Sequence, residues 1–165
     1  MSDFFSSIFV IAVIVLVVSF LLIKGQIYYE RKDYEESMAS YAADPYKIYC
    51  VVSREAIALM NGNRGKMISQ GGHAFLHAFE DSINRFKRAT REYLESGKAY
   101  KITLYVDTTQ ELFELKKKYE DICGVALITD AAHTVFKEPT TTCIGIGPIR
   151  ESQRDPVLAG LNPFI

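Results

Sequence analysis

The chain has 165 residues, 48% of them hydrophobic, and a formal charge of −1. That length usually means one domain, and a charge so near zero does not by itself demand a nucleic-acid partner. The three cysteines, Cys50, Cys123 and Cys143, lie far apart among apolar neighbours; they look like buried thiols of a reducing compartment rather than a disulfide framework, and no Cys/His spacing resembles a zinc site.

The hydrophobic residues are unevenly spread. Residues 4–23, opening at Phe4 and closing at Ile23, run without a charge, Pro or Gly. At about 1.5 Å per residue the run reaches about 30 Å, the thickness of a bilayer's hydrocarbon core. A secretory signal would want a basic start, a shorter apolar stretch and a small-residue cleavage site. Here Asp3 is the only early side-chain charge, and Lys24-Gly25-Gln26 is a poor cleavage site. Lys24, Arg31 and Lys32 follow the run and no Lys or Arg precedes it, so the positive-inside rule places the C-terminal part in the cytosol. The expected layout is a single-pass transmembrane anchor over residues 1–24, a polar stalk over 25–45 and a soluble domain over 46–165. The stalk carries two basic and five acidic residues; the domain carries 16 basic and 14 acidic ones.

Asp44-Pro45 closes the stalk, because the residue before proline avoids α conformation. Residues 46–52, rich in β-branched and aromatic side chains, predict a buried strand. Residues 53–63 predict a loop closing on Asn61-Gly62-Asn63. From Arg64 an apolar stripe of Met67, Gly71, Ala74, Leu76 and Ala78 predicts a helix, with His73 and His77 one turn apart. A second helix is expected over 81–96, capped by Gly97. Residues 101–106 predict a strand. Residues 108–119 predict a helix in which Thr108 and Glu111 have the capping-box spacing. Residues 125–129 and 143–146 predict two further strands. Strands separated by helices argue for an α/β domain with a four-stranded mixed sheet flanked by helices.

Several places invite chemistry. Gly62-Asn63-Arg64-Gly65-Lys66 lies between a strand and a helix N-terminus, where backbone N–H groups favour an anion; it lacks the spacing of a phosphate-binding P-loop. The bland alternative is a solvated turn. Gln70 and His73 follow on one face with Lys66, where a boundary histidine is the plain alternative. Asp130-Ala131-Ala132-His133-Thr134 follows a strand, a placement as common for turns as for catalysis. Thr140-Thr141-Thr142 runs into Gly145-Ile146-Gly147-Pro148. Arg85, Arg88 and Arg91 could hold a nucleic-acid backbone, or simply be a solvated face.

In this order, Gly65-Lys66-Met67-Ile68-Ser69-Gln70-Gly71-Gly72-His73-Ala74, then Asp130-Ala131-Ala132-His133-Thr134, then Thr142-Cys143-Ile144-Gly145-Ile146-Gly147-Pro148, the chain resembles the type II peptidyl-tRNA hydrolase family across residues 46–165. Some members carry an N-terminal membrane segment. The resemblance implies a domain, often a homodimer, that needs no metal or cofactor and hydrolyses the ester joining peptide to tRNA. Its partner is then peptidyl-tRNA. By motif position Lys66, Asp130, Thr134 and Thr142 are expected to act in catalysis. Arg64, Gly65, Gln70, His73, His133, Gly145 and Gly147 are expected along the substrate, with Arg85, Arg88 and Arg91 on the tRNA backbone. The chain departs from the family pattern in several places: Arg64 stands where lysine is usual, Ile68 and Ser69 replace two small positions, the Lys137-Glu138-Pro139 connection differs, and Ala132 and His133 stand where Gly and Arg are usual. Ala132 and His133 motivate the alternative reading, a catalytically weak or inactive membrane-displayed binding or signalling module of the same fold.

Overall fold

The computed structural model describes residues 2–164, with side chains in 13–36 and 38–164; Met1 and Ile165, the outer ends of the expected anchor and domain, lie outside the described residues. The chain divides into two compact units, Met1–Ala43 and Asp44–Ile165.

The first unit is a single helix, α1 (Ser2–Ala43). The apolar run and the polar stalk are therefore one continuous element. Pairs spaced by four support its polar half: Gln26 donates to Glu30 at 3.0 Å and Arg31 meets Glu35 at 2.9 Å. The helix stops at Asp44-Pro45, as the proline requires. Its apolar part is long and apolar enough to cross a membrane, by length and composition.

The second unit runs β1 (Tyr46–Ser53), α2 (Arg54–Leu59), α3 (Arg64–Arg85), α4 (Lys87–Glu95), β2 (Tyr100–Val106), α5 (Thr109–Tyr119), β3 (Val125–Asp130), β4 (Thr140–Arg150) and α6 (Pro156–Gly160). The four strands form the one mixed sheet that the sequence predicts, in the order β2-β1-β4-β3. β1 and β2 are parallel, while β4 is antiparallel to both β1 and β3. The strands β1, β2 and β3 thus share a C-terminal edge, the edge on which α3 begins.

Residue alternation along the strands fills both faces. Tyr49, Val51, Leu104, Ile144 and Ile146 bury against Leu112 and Leu115 of α5. Cys50, Val52, Ile128 and Cys143 turn to the other face, under α3. α3 buries a stripe of Gln70, Ala74, Ala78 and Ser82. Gly145 lies directly beneath it, where any Cβ would run into the Ala74 carbonyl oxygen. The helix therefore sits unusually close to β4.

Three local features differ from expectation. Residues 53–63 are not all loop: the Ser53 hydroxyl accepts from the Ala56 N–H at 3.3 Å and starts α2, a run of helix-forming residues. Only Met60 to Asn63 turn, with Asn61 at φ 47° and Gly62 at φ 75°. The helix expected over 81–96 is split: α3 continues to Arg85, the backbone leaves helical geometry at Phe86 and α4 restarts at Lys87. The Ser82 and Thr90 hydroxyls meet across that bend at 2.8 Å, buried. β4 spans 11 residues rather than four, because Thr140 and Thr141 pair with β3 at one end and Ile149 and Arg150 pair with β1 at the other. The capping box at Thr108 and Glu111 and the positive φ of Gly97 agree with the sequence reading.

Candidate active site

Asn63 begins the site. Its side chain accepts from the Lys66 N–H at 3.0 Å and caps α3. This fixes Lys66 in the first turn, beside the C-terminal end of β3. Its Nζ makes an ion pair with Asp130 and donates to Thr134 Oγ1 at 3.2 Å. The ammonium also lies 5.9 Å from the ring centroid of Phe136, a buried residue.

Asp130 is the last residue of β3 and only 8% exposed. Its Oδ1 accepts from the Ala132 N–H at 2.9 Å; its Oδ2 accepts from Gln70 Nε2 at 2.9 Å. Gln70 is in turn held by Thr142, whose hydroxyl donates to Gln70 Oε1 at 2.7 Å. Protons therefore point one way along the chain, from Thr142 to Gln70 to Asp130. The Lys66 ammonium holds the Asp130 carboxyl below the usual carboxylate range; burial opposes this, and the Ala132 N–H assists. Asp130 is thus a fixed anion, paired on one oxygen and lightly engaged on the other.

The pair borders an open cavity of about 400 Å³ lined also by His73, His77, His133 and Thr134. His73 and His77 stack with ring centroids 5.7 Å apart, and His77 Nδ1 lies 2.9 Å from Glu80 Oε2. Among the described residues, no group of three or more His, Cys, Asp and Glu side chains is placed to hold a metal ion.

The structure brings together Lys66, Gln70, Asp130, Thr134 and Thr142, with His73 and His133 on the cavity wall. Arg64 and Gly65 are exposed in the first turn of α3. Gly145 and Gly147 are elsewhere: Gly145 lies under Ala74, while Gly147, at φ 120°, donates its N–H to the Gly124 carbonyl at 2.8 Å. The three arginines do not share one helix. Arg85 ends α3 and pairs with Asp81 at 2.9 Å; Arg88 pairs with Glu92 at 2.7 Å on α4, where Arg91 is exposed.

Sequence reasoning assigned no site role to three contributors. His77 follows Lys66 by 11 residues, three helical turns on the same face. Phe136 carries no local motif. Ala132 contributes its backbone, and adopts φ 64°. That left-handed region favours glycine, which explains why the family pattern has Gly at this place.

An α/β domain with an ammonium–carboxylate pair at the C-terminal edge of its sheet is the class that the fold and the site define. Residues 46–164 match the family described as peptidyl-tRNA hydrolase PTH2. A peptidyl-tRNA hydrolase of Methanocaldococcus jannaschii is 33% identical over 100 residues, covering 60% of this chain and 86% of the relative. Those of Haloquadratum walsbyi and Saccharolobus islandicus are likewise 33% identical, over 102 and 104 residues, covering 88% and 86% of their own lengths. The chain belongs to the PTH2 family of peptidyl-tRNA hydrolases.

Proposed function

We propose that the chain hydrolyses the ester joining the peptide to the 3′ ribose in peptidyl-tRNA, releasing free peptide and tRNA. The observation that carries this reading is the ordered chain Thr142–Gln70–Asp130–Lys66 beside an open polar cavity. Ester hydrolysis needs an oriented water, charge for the developing oxyanion and a proton for the leaving oxygen. Asp130 orients the water through its lightly engaged Oδ1; as a carboxylate held below its usual pKa it is too weak a base to strip water unaided. Lys66 supplies the positive charge for the oxyanion, with Thr134 beside it as a second donor. The water's proton ends on the departing ribose oxygen, relayed through the Lys66–Asp130 pair. Thr142, fully buried, positions Gln70. His73, His77 and His133 face the polar, tRNA end of the substrate.

In this reading residues 1–24 anchor the protein in a membrane, 25–45 form a stalk and 46–165 form the hydrolase, displayed on the cytosolic side. The apolar stretch of α1 and the placement of Lys24, Arg31 and Lys32 support it. Carbonate extraction of membranes checks the anchor: release of the chain into the wash overturns it.

The deciding experiment is peptide release from peptidyl-tRNA by the full chain in detergent. Lys66→Ala and Asp130→Ala are each expected to lower kcat/KM by about 100-fold or more. Activity that survives both changes overturns the assignment of roles. Retained tRNA binding without any turnover by the unaltered chain favours the binding-module reading instead.

A further inference from the structure

A second cavity lies on the other side of α3. It has about 410 Å³ and opens between α3, α2 and the β1–β2 half of the sheet. Gln70 borders both cavities, so its side chain forms the partition between them. The walls differ sharply. The first carries Lys66, Asp130 and three histidines. Among the residues lining the second there is no charged group; its polar side chains are Gln70, Thr142 and Thr103. The rest of the wall is apolar and includes Met60, Met67, Ile68 and Phe75. A further, mostly apolar cavity of about 440 Å³, with Lys101 as its one charged lining residue, continues along α3 and shares Gly72 and Phe75 with it.

We propose that this second cavity is the acyl subsite: it takes the apolar side chain of the peptide's terminal residue, the one esterified to the tRNA. The inference rests on the hydrolase reading above. A peptidyl-tRNA is chemically two-ended, with a polyanion on one side of the ester and an uncharged peptide on the other. The two cavities are two-ended in the same sense and meet at Gln70, which holds the Asp130 carboxylate. A phosphate in the second cavity would be desolvated with no cation among the lining residues to meet it. An apolar side chain there gains by losing water. The volume is that of a small-ligand site. Two methionines on the wall suit a pocket that accepts side chains of differing shape, since the thioether chain adapts to irregular gaps. The adjoining cavity along α3 gives the preceding residues of the peptide a path away from the ester.

Gly72 offers the test. Gly72 is exposed at the rim shared by the two apolar cavities, and a Cβ built there meets nothing within 4 Å, so a larger side chain narrows the rim without disturbing α3. In mid-helix, Gly→Leu also favours the helix, and thermal unfolding checks that the fold is kept. The substrates are N-acetyl-phenylalanyl-tRNA and N-acetyl-glycyl-tRNA, with the full chain as enzyme. The unaltered chain is expected to prefer the phenylalanyl substrate in kcat/KM by about tenfold or more, and Gly72→Leu to cut that preference by about tenfold. Ile68→Asp, 75% exposed on the same wall, is expected to cut it as well. Hydrolysis of both substrates with a preference that neither variant changes overturns the subsite and leaves the hydrolase standing. No hydrolysis of either substrate by the unaltered chain overturns the hydrolase reading and the subsite with it.

Discussion

Two clusters of charge lie at opposite ends of the β1–β4 ladder, and they are built differently. At one end Arg150 donates to Glu92 at 2.8 Å and to the Asp44 carbonyl at 3.3 Å, and its guanidinium lies over the Tyr46 ring. Lys47 meets Glu151 at 2.6 Å, Tyr49 donates to the same carboxylate, and Ser152 closes on Asp44 with both its N–H and its hydroxyl. Each carboxylate there has its partners within the protein. At the other end Lys66 and Asp130 are as tightly paired, yet the pair borders a cavity. The same residue types make a clasp at one end and a reaction site at the other. What separates them is the open side.

The sharpest way to break this contrast is Asp130→Asn. It keeps the shape and removes the anion. The expected result is a fall in kcat/KM of about 100-fold or more, with a thermal midpoint shifted by only a few degrees. At the other end Arg150→Met should do the reverse. It leaves Glu92, a largely buried carboxylate, with one partner fewer, and is expected to cost about 2 kcal/mol in urea unfolding. Hydrolysis at a temperature where the variant stays folded should be unaffected. If Arg150→Met removes activity without loss of stability, the division between clasp and site fails.

Acid should act on both ends in the same direction. Lys66 lowers the Asp130 pKa. For Glu151, burial pushes upward but is outweighed by Lys47 and Arg154, so its net shift is also down. A carboxyl depressed in the folded state gives stability that is complete above its unfolded pKa of about 4 and is lost as pH falls through the lower folded value. The protein is therefore expected to hold its stability down to about pH 4 and lose it below. Lys66→Met should raise the Asp130 pKa toward the ordinary range without moving Glu151. Carbon-detected NMR titration of the two carboxyls reads both; an unshifted Asp130 would mean that the ion pair does not form in solution.

Much of this was legible in the sequence, and the failures have physical causes. β1, β2 and the capped helix α5 carry strong local signals: alternation, β-branching and a Thr–Glu capping box. The break at Phe86 carries none, since neither Gly nor Pro is near it and the Ser82–Thr90 pairing exists only in three dimensions. The C-terminal segment shows the same limit. Asn162 and Phe164 bond to Tyr105 and Thr103 along β2, at 3.2 and 3.0 Å, with no pattern to announce it. Lys66, Gln70 and His73 could be read as a group because they share one helix face. Their meeting with Asp130 needed the family motif, because 60 residues separate Gln70 from Asp130. The clasp around Arg150 was not legible at all: its members come from residues 44–49, from Glu92 and from residues 150–152, stretches that only the fold brings together.

The smallest expected effect lies at Ala132. Its N–H holds Asp130 Oδ1, which requires the backbone to sit at φ 64°. Such a conformation costs an L-residue about 1–2 kcal/mol and a glycine almost nothing. Glycine gives part of this back, since it loses about 0.5–1 kcal/mol more conformational freedom on folding. Ala132→Gly should therefore stabilise the domain by about 0.5 kcal/mol, a rise in thermal midpoint of about 2 °C. The value of the measurement is its sign. A gain shows that the turn behind Asp130 is strained in this chain, the site's geometry being kept against a local cost that the clasp at the other end does not bear. A loss shows that the N–H of residue 132 reaches Asp130 through a turn that alanine adopts without penalty, and that the departure from the family pattern at this position is structurally neutral.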